Sequence, residues 1–222
     1  MGQRTEGDLI FEKYLSERGF VVPEHEPDLG IGVRPEYLLD VEGDRCLVEV
    51  KEFAPSSWPL GSGGIHSQQQ VLKPIRGQIH EAARKLRRAR ELKLPLVAVL
   101  TDPHQAMWGL LQPFELIAAI DGDMEVRIPI STTGSGPIGP AALATGRNGE
   151  LRHDHPYLTA VVVVHERFDD THQSETYITH SPDAEPLPER FFVAGPGDVL
   201  YDYARPEGGV GVYSLRDGDA QG

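Results

Sequence analysis

The stretch from Arg34 to Phe53 constrains the fold more than any other part of the chain. Two apolar runs, Tyr37-Leu38-Leu39 and Cys46-Leu47-Val48-Glu49-Val50, flank Glu42-Gly43-Asp44. That pattern predicts two short strands joined by a tight turn. Side chains alternate faces along a strand, so Leu47, Glu49 and Lys51 share one face and Val48 and Val50 the other. A carboxylate and an ammonium two apart in an apolar strand are costly to bury unless they pair, bind something or do chemistry.

The first strand brings another carboxylate. A two-residue loop at Glu42-Gly43 sets Glu36 opposite Glu49, and a loop at Gly43-Asp44 sets it opposite Lys51. Either register gathers Glu36, Glu49 and Lys51 on one side. A three-residue loop would pair Glu36 with Val50 and scatter them. Two ionised carboxylates on one patch repel, and a divalent cation is the usual way to hold both charged. Hard oxygen donors favour Mg²⁺ or Mn²⁺. Lys51 beside them is suited to orienting water or stabilising charge that develops on a phosphoryl group.

Pro35-Glu36 followed by Glu49-Val50-Lys51 resembles the signature of the PD-(D/E)xK nuclease superfamily, with Glu36 in place of the usual first Asp. The Pro27-Asp28 dipeptide fits less well, lying farther from Glu49 with no apolar run after it. The resemblance implies a restriction-endonuclease-like core with Glu36, Glu49 and Lys51 as catalytic residues. Residues 5 to 18 form an amphipathic helical pattern through Ile10, Phe11, Tyr14 and Leu15, with Thr5 or Gly7 at its start and Gly19 at its stop. Its acidic residue followed by Tyr-Leu-x-x-x-Gly-Phe is similar to the first helix of the Holliday-junction-resolvase-like branch. That likeness implies Asp8 as a third metal ligand beside Glu36 and Glu49, with Glu12 the second choice. The other reading of Asp8 is a helix N-terminal carboxylate placed by the dipole.

Lys73 to Leu92 is the strongest helical pattern. Pro74 suits a first turn, and Leu72, Ile75, Ile79, Ala82, Ala83, Leu86 and Ala89 form the apolar stripe. Lys73, Arg76, Arg84, Arg87 and Arg88 fall outside it as candidate contacts to a nucleic-acid backbone, which position without reading sequence. A solvated helix face is the alternative. Gln78 occupies a place similar to the polar residue that borders the active site on this helix in many superfamily members. Leu94 to Asp102 reads as a buried strand. Phe20-Val22 begins an extended segment, and the order helix, strand, strand, strand, helix, strand matches the superfamily core over residues 5 to 102.

Residues 54 to 70 read as a loop containing Trp58 and His66. Beyond 102, a short helix is expected at Pro113–Ile120 and a strand at Met124–Ser131. Loop follows to Gly149, then a buried strand at Leu158–Arg167 and an edge strand at Glu175–Ser181. Arg190–Val193 and Val199–Tyr203 are weaker strands, and the tail after Leu215 is expected to fray. His153-Asp154-His155 reads as an exposed loop rather than a metal site.

The 222-residue chain carries a net charge of −13. Residues 73 to 93 hold eight basic and two acidic side chains, net +6, leaving −19 for the remainder. One cationic surface on an otherwise repelling body is the result. No run of about 18 apolar residues exists, so no membrane span is expected. The polar start and single Cys46, read as a buried thiol, fit a cytoplasmic protein. The expected architecture is α/β, a mixed central sheet flanked by helices, with residues 1–122 as the nuclease-like core and 123–222 as a C-terminal β-rich extension packed on the same domain. The expected function is Mg²⁺- or Mn²⁺-dependent phosphodiester hydrolysis in nucleic acid, DNA foremost, as a homodimer or part of a larger assembly. The alternative is a catalytically inactive nuclease-fold protein that binds nucleic acid or protein.

Overall fold

The computed structural model describes residues 3–32, 34–55, 68–107, 110–122, 124–127, 142–145, 151–188, 190–192, 194–204 and 212–217. The first helix, α1 (Glu6–Glu17), starts on a capping box. Thr5 Oγ1 accepts from the Asp8 N–H at 3.2 Å, and Asp8 Oδ2 accepts from the Thr5 N–H at 2.8 Å. That exchange satisfies two donors the first turn cannot use internally. Gly19 closes the helix at φ +75°, as its position predicts.

Strands β1 (Tyr37–Val41) and β2 (Asp44–Glu52) pair antiparallel across Glu42 and Gly43, which sit at φ 55° and 92°. Positive φ at both central residues gives the hairpin turn whose twist suits two strands. Asp40 Oδ1 accepts from the Gly43 N–H at 3.1 Å and steadies it. Helix α2 (Gln68–Leu86), a 3₁₀ turn (Arg87–Leu92) and β3 (Leu96–Thr101) follow, β3 running parallel to β2. Helix α3 (Pro113–Asp121), a small antiparallel pair β4 (Met124–Arg127) and β5 (Ala142–Thr145), and the single turn α4 (Leu151–Asp154) lead to β6 (Ala160–Glu166). The chain ends in β7 (His172–Ile178), β8 (Val199–Ala204) and β9 (Val212–Asp217). One mixed seven-stranded sheet, β1-β2-β3-β6-β7-β8-β9, runs through all of it except β4 and β5.

Period-two alternation divides the core in two. Leu47, Leu96, Ala98 and Leu100 point to the side covered by α2 and α3, where Leu72, Ile75, Ile79, Ala83 and Leu86 meet them. Cys46, Val48, Val50, Val97 and Val99 point to the side covered by α1, against Phe11, Tyr14 and Leu15. Every residue of β3 is buried, as befits a central parallel strand covered on both faces. The mixed α/β architecture expected from the sequence therefore forms.

Several local expectations change. Phe20 to Val22 lies in no strand, and an isolated bridge from His25 to Tyr37 stands where a third strand was expected. Pro23 and Pro27 lack the N–H a ladder needs, and Gly30 and Gly32 turn at positive φ. Pro74 lies inside α2, not in its first turn, because the helix begins at Gln68 and packs Leu72 into the core. The helix also tightens to 3₁₀ after Leu86 instead of running on to Leu92. β7 is not an edge strand, since β6 and β8 flank it and Ser174 and Thr176 are buried. Both hydroxyls donate to Phe192 O, which removes the cost of placing them inside. Arg190 to Phe192 forms no strand, Ala142 to Thr145 does, and Arg216 and Asp217 belong to β9. Trp58, His66 and residues 128–131 lie outside the described residues.

Candidate functional site

The two-residue turn fixes the register, pairing Tyr37 with Val48 and so bringing Glu36 level with Glu49 just beyond the end of β1. Because β1 stops there, the Val50 N–H has no strand partner on that side and donates to Glu36 Oε2 instead. Glu49 points to the α2 side of the sheet and is fully buried. Its Oε1 accepts from Lys51 Nζ at 2.8 Å, two residues along the same face. A second ammonium arrives from α2: Lys85 Nζ stands 2.8 Å from Glu49 Oε1 and 3.3 Å from Glu36 Oε1. Lys51 Nζ lies 3.9 Å from Glu36 Oε1 and 3.8 Å from Glu81 Oε1. Two carboxylates and two ammoniums thus gather between β2 and α2, with the exposed Glu81 at the edge of the cluster.

Asp8 serves α1 and faces this neighbourhood as well. Oδ2 is taken by the capping box and lies 3.6 Å from His25 Nε2, while Oδ1 is buried without a hydrogen bond. Glu49 Oε2 is likewise buried and unpartnered. Gly7 lets α1 approach this closely, since a Cβ there would collide with Thr101 Oγ1. Its N–H donates to Glu52 Oε2 at 2.8 Å, tying the helix start to the end of β2.

Burial first, then the neighbouring Glu49, pushes the Glu36 carboxyl up to about 7, with Asp8 adding to the push and Lys85 and Lys51 opposing it. For Lys85, burial would favour the neutral amine, yet the carboxylates of Glu49 and Glu36 outweigh it and hold its pKa above the ordinary value. Between pH 4.5 and 7 the folded chain keeps a proton on Glu36 that the unfolded chain has released. Stability contributed by that proton is full below 4.5 and is lost as the pH rises through 7. In metal-free buffer at pH 8, Glu36→Gln is therefore expected to be more stable than the parent by up to about 3 kcal/mol. The gain should vanish near pH 4. Urea denaturation at the two pH values measures this, and a Gln variant less stable at pH 8 would show that the lysines already balance the pair.

Glu49 Oε2 and Asp8 Oδ1 are thus two buried carboxylate oxygens with no hydrogen bond. Among the described residues, no three His, Cys, Asp or Glu side chains form a ready-made metal cage. The two ammoniums take up the negative charge instead.

Lys85 was not singled out from the sequence, although it stands two helical turns after Gln78 on the same face of α2. That spacing was the available signal. Lys73, Arg84, Arg87 and Arg88 are exposed. Arg76 is turned onto α3, where Nη2 donates to Ala118 O at 2.8 Å. Glu12 accepts from Tyr37 OH at 3.1 Å and pairs with Arg4 at 2.9 Å, and Asp28 is exposed beside Arg34.

No family model, curated protein or solved structure matches this chain.

Asp154 is exposed, as expected, but His155 differs. His155 is buried, its Nε2 lies 2.6 Å from His80 Nδ1, and its Nδ1 lies 3.1 Å from Tyr157 OH. Tyr157 OH donates to Ala83 O at 3.0 Å, so it accepts from His155 Nδ1–H. His155 Nε2 is then the acceptor and His80 Nδ1 the donor. Burial, His80, and Arg84 with Arg87 push the His155 pKa down, which keeps the ring neutral. The chain of bonds fastens α4 to α2.

Proposed function

We propose that this chain is a metal-dependent nuclease built on a restriction-endonuclease-like core, acting on phosphodiester bonds of DNA. The observation that carries the reading is the fully buried Glu49, level with Glu36, with one oxygen orphaned and Lys51 on the other. Structural ion pairs seldom leave a buried carboxylate oxygen without a partner, because an unmet acceptor of that kind costs free energy. Functional sites accept such costs.

In this reading Glu36, Glu49 and Asp8 hold Mg²⁺ or Mn²⁺, which supplies Lewis acidity toward a phosphoryl oxygen and acidifies water beside it. Lys51 keeps a positive charge, fixed by Glu49, next to where negative charge grows on the phosphorus oxygens. Its position within a β-strand gives that charge little freedom to wander. Lys73 and Arg84 on α2, with Arg87 and Arg88 on the 3₁₀ turn after it, offer cations for backbone phosphates, with the salt dependence that such contacts bring.

Incubating the protein with Mn²⁺ and single- and double-stranded DNA and RNA tests the reading. Cleavage of DNA that disappears in Glu49→Gln is the expected result. If no nucleic acid is cut, yet Mn²⁺ binding persists and depends on Glu49, the alternative of an inactive nuclease-fold binding module takes its place.

A further inference from the structure

We infer that Lys85 is a resident counter-ion of the carboxylate pair, displaced when a divalent cation binds and released toward Glu81 and the solvent edge. The inference rests on the metal-site reading above and adds a regulatory step to it. Glu49 Oε1 receives two ammoniums at 2.8 Å, Lys51 from its own strand and Lys85 from the facing helix. The two are not equivalent. Lys51 is 15% exposed and sits on β2, whereas Lys85 is 34% exposed and reaches in from α2. Lys85 alone comes within 3.3 Å of Glu36 as well, so it bridges the two acids much as a cation would.

A divalent ion brought to Glu36 and Glu49 would leave the wall with a positive excess. The ammonium that is least enclosed then has most to gain by leaving. Glu81, exposed, 3.8 Å from Lys51 Nζ and four residues before Lys85 on the same helix, supplies the acceptor. A Glu placed N-terminal to a Lys at this spacing is the favourable order for a helical ion pair. Released in this way, Lys85 would join Arg88, three residues on, at the edge of the cationic surface. Cation loading would thereby be coupled to presenting one more positive charge toward a phosphate.

Two measurements on the full chain decide it. Isothermal titration with Mn²⁺ should give a dissociation constant at least about tenfold lower in Lys85→Met than in the parent, because one like charge beside the ion has gone. Lysine acylation of the unsubstituted protein, read by mass spectrometry, should show Lys85 more reactive with Mn²⁺ than without it, and Lys51 unchanged. The acylation experiment needs no variant, so it stands even if Lys85→Met folds poorly. If Mn²⁺ binds in a Glu49-dependent way, but Lys85→Met binds it no more tightly and Lys85 reactivity is unmoved, the counter-ion role is refuted while the metal site survives. If the parent chain binds no Mn²⁺, the metal site falls and the displacement falls with it.

Discussion

Lys51→Met is expected to slow Mn²⁺-supported DNA cleavage by about 10²–10⁴-fold, the span associated with losing one well-placed acid–base or electrostatic group. The reason lies in how the sheet presents this side chain. β2 carries Glu49 and Lys51 on one face, two residues apart, and Glu49 fixes the ammonium at 2.8 Å. Methionine keeps most of the stem's volume and removes only the charge. Lys85 still satisfies Glu49 Oε1 in the variant, so the fold should persist. The loss should appear in kcat rather than in KM, because an interaction that strengthens only in the transition state lowers kcat. Mn²⁺ binding should be retained or tightened. A variant cutting DNA at the parental rate would remove Lys51 from the chemistry.

The largest expected effect on stability lies far from that site. Asp198 is fully buried and accepts from Arg18 Nε at 2.8 Å, Arg18 Nη2 at 2.9 Å, the Ser174 N–H at 2.9 Å and the Gly195 N–H at 3.1 Å. Tyr14 OH donates to it at 3.3 Å. This one carboxylate joins the end of α1 to β7 and to the segment leading into β8. Asp198→Ala leaves a guanidinium that is only 7% exposed with no counter-charge nearer than Glu17 at 4.0 Å. A destabilisation of about 3–5 kcal/mol is expected, as for other buried pairs broken from one side. For a chain of this size that lowers Tm by roughly 6–20 °C, measurable by thermal unfolding. Replacing both partners with apolar residues, Arg18→Met with Asp198→Leu, should cost less than Asp198→Ala alone. Equal losses would indicate that shape rather than unpaired charge sets the penalty.

These two nodes differ in how far they can be read from sequence. Glu36, Glu49 and Lys51 lie within one hairpin, where alternation and turn length determine which side chains meet. The turn proved to be Glu42-Gly43, one of the registers that gather all three. The capping role of Thr5 and the stop at Gly19 were legible for the same reason, since their partners are within a few residues. Arg18 and Asp198 are 180 residues apart, and no local pattern announces that they touch. Lys85 was hidden differently: its helix holds many cations, and periodicity does not tell which of them faces a carboxylate. His155 was misjudged because its polar neighbours suggest solvent, whereas its bonds to His80 and Tyr157 make burial tolerable. The inner position of β7 depended on β8 pairing parallel to it, a long-range event that a strand's own sequence does not encode.

Thermal unfolding with and without Mn²⁺ tests most directly whether Glu36 and Glu49 form a cation site. At a free Mn²⁺ concentration of about 100 times Kd, binding to the folded chain alone adds about 2.7 kcal/mol. That corresponds to a rise in Tm of roughly 5–10 °C for a chain of this length. The rise is expected in the parent protein and should be absent in Glu49→Gln. An equal rise in both proteins, or none in the parent, would contradict the assignment of these carboxylates to a metal site.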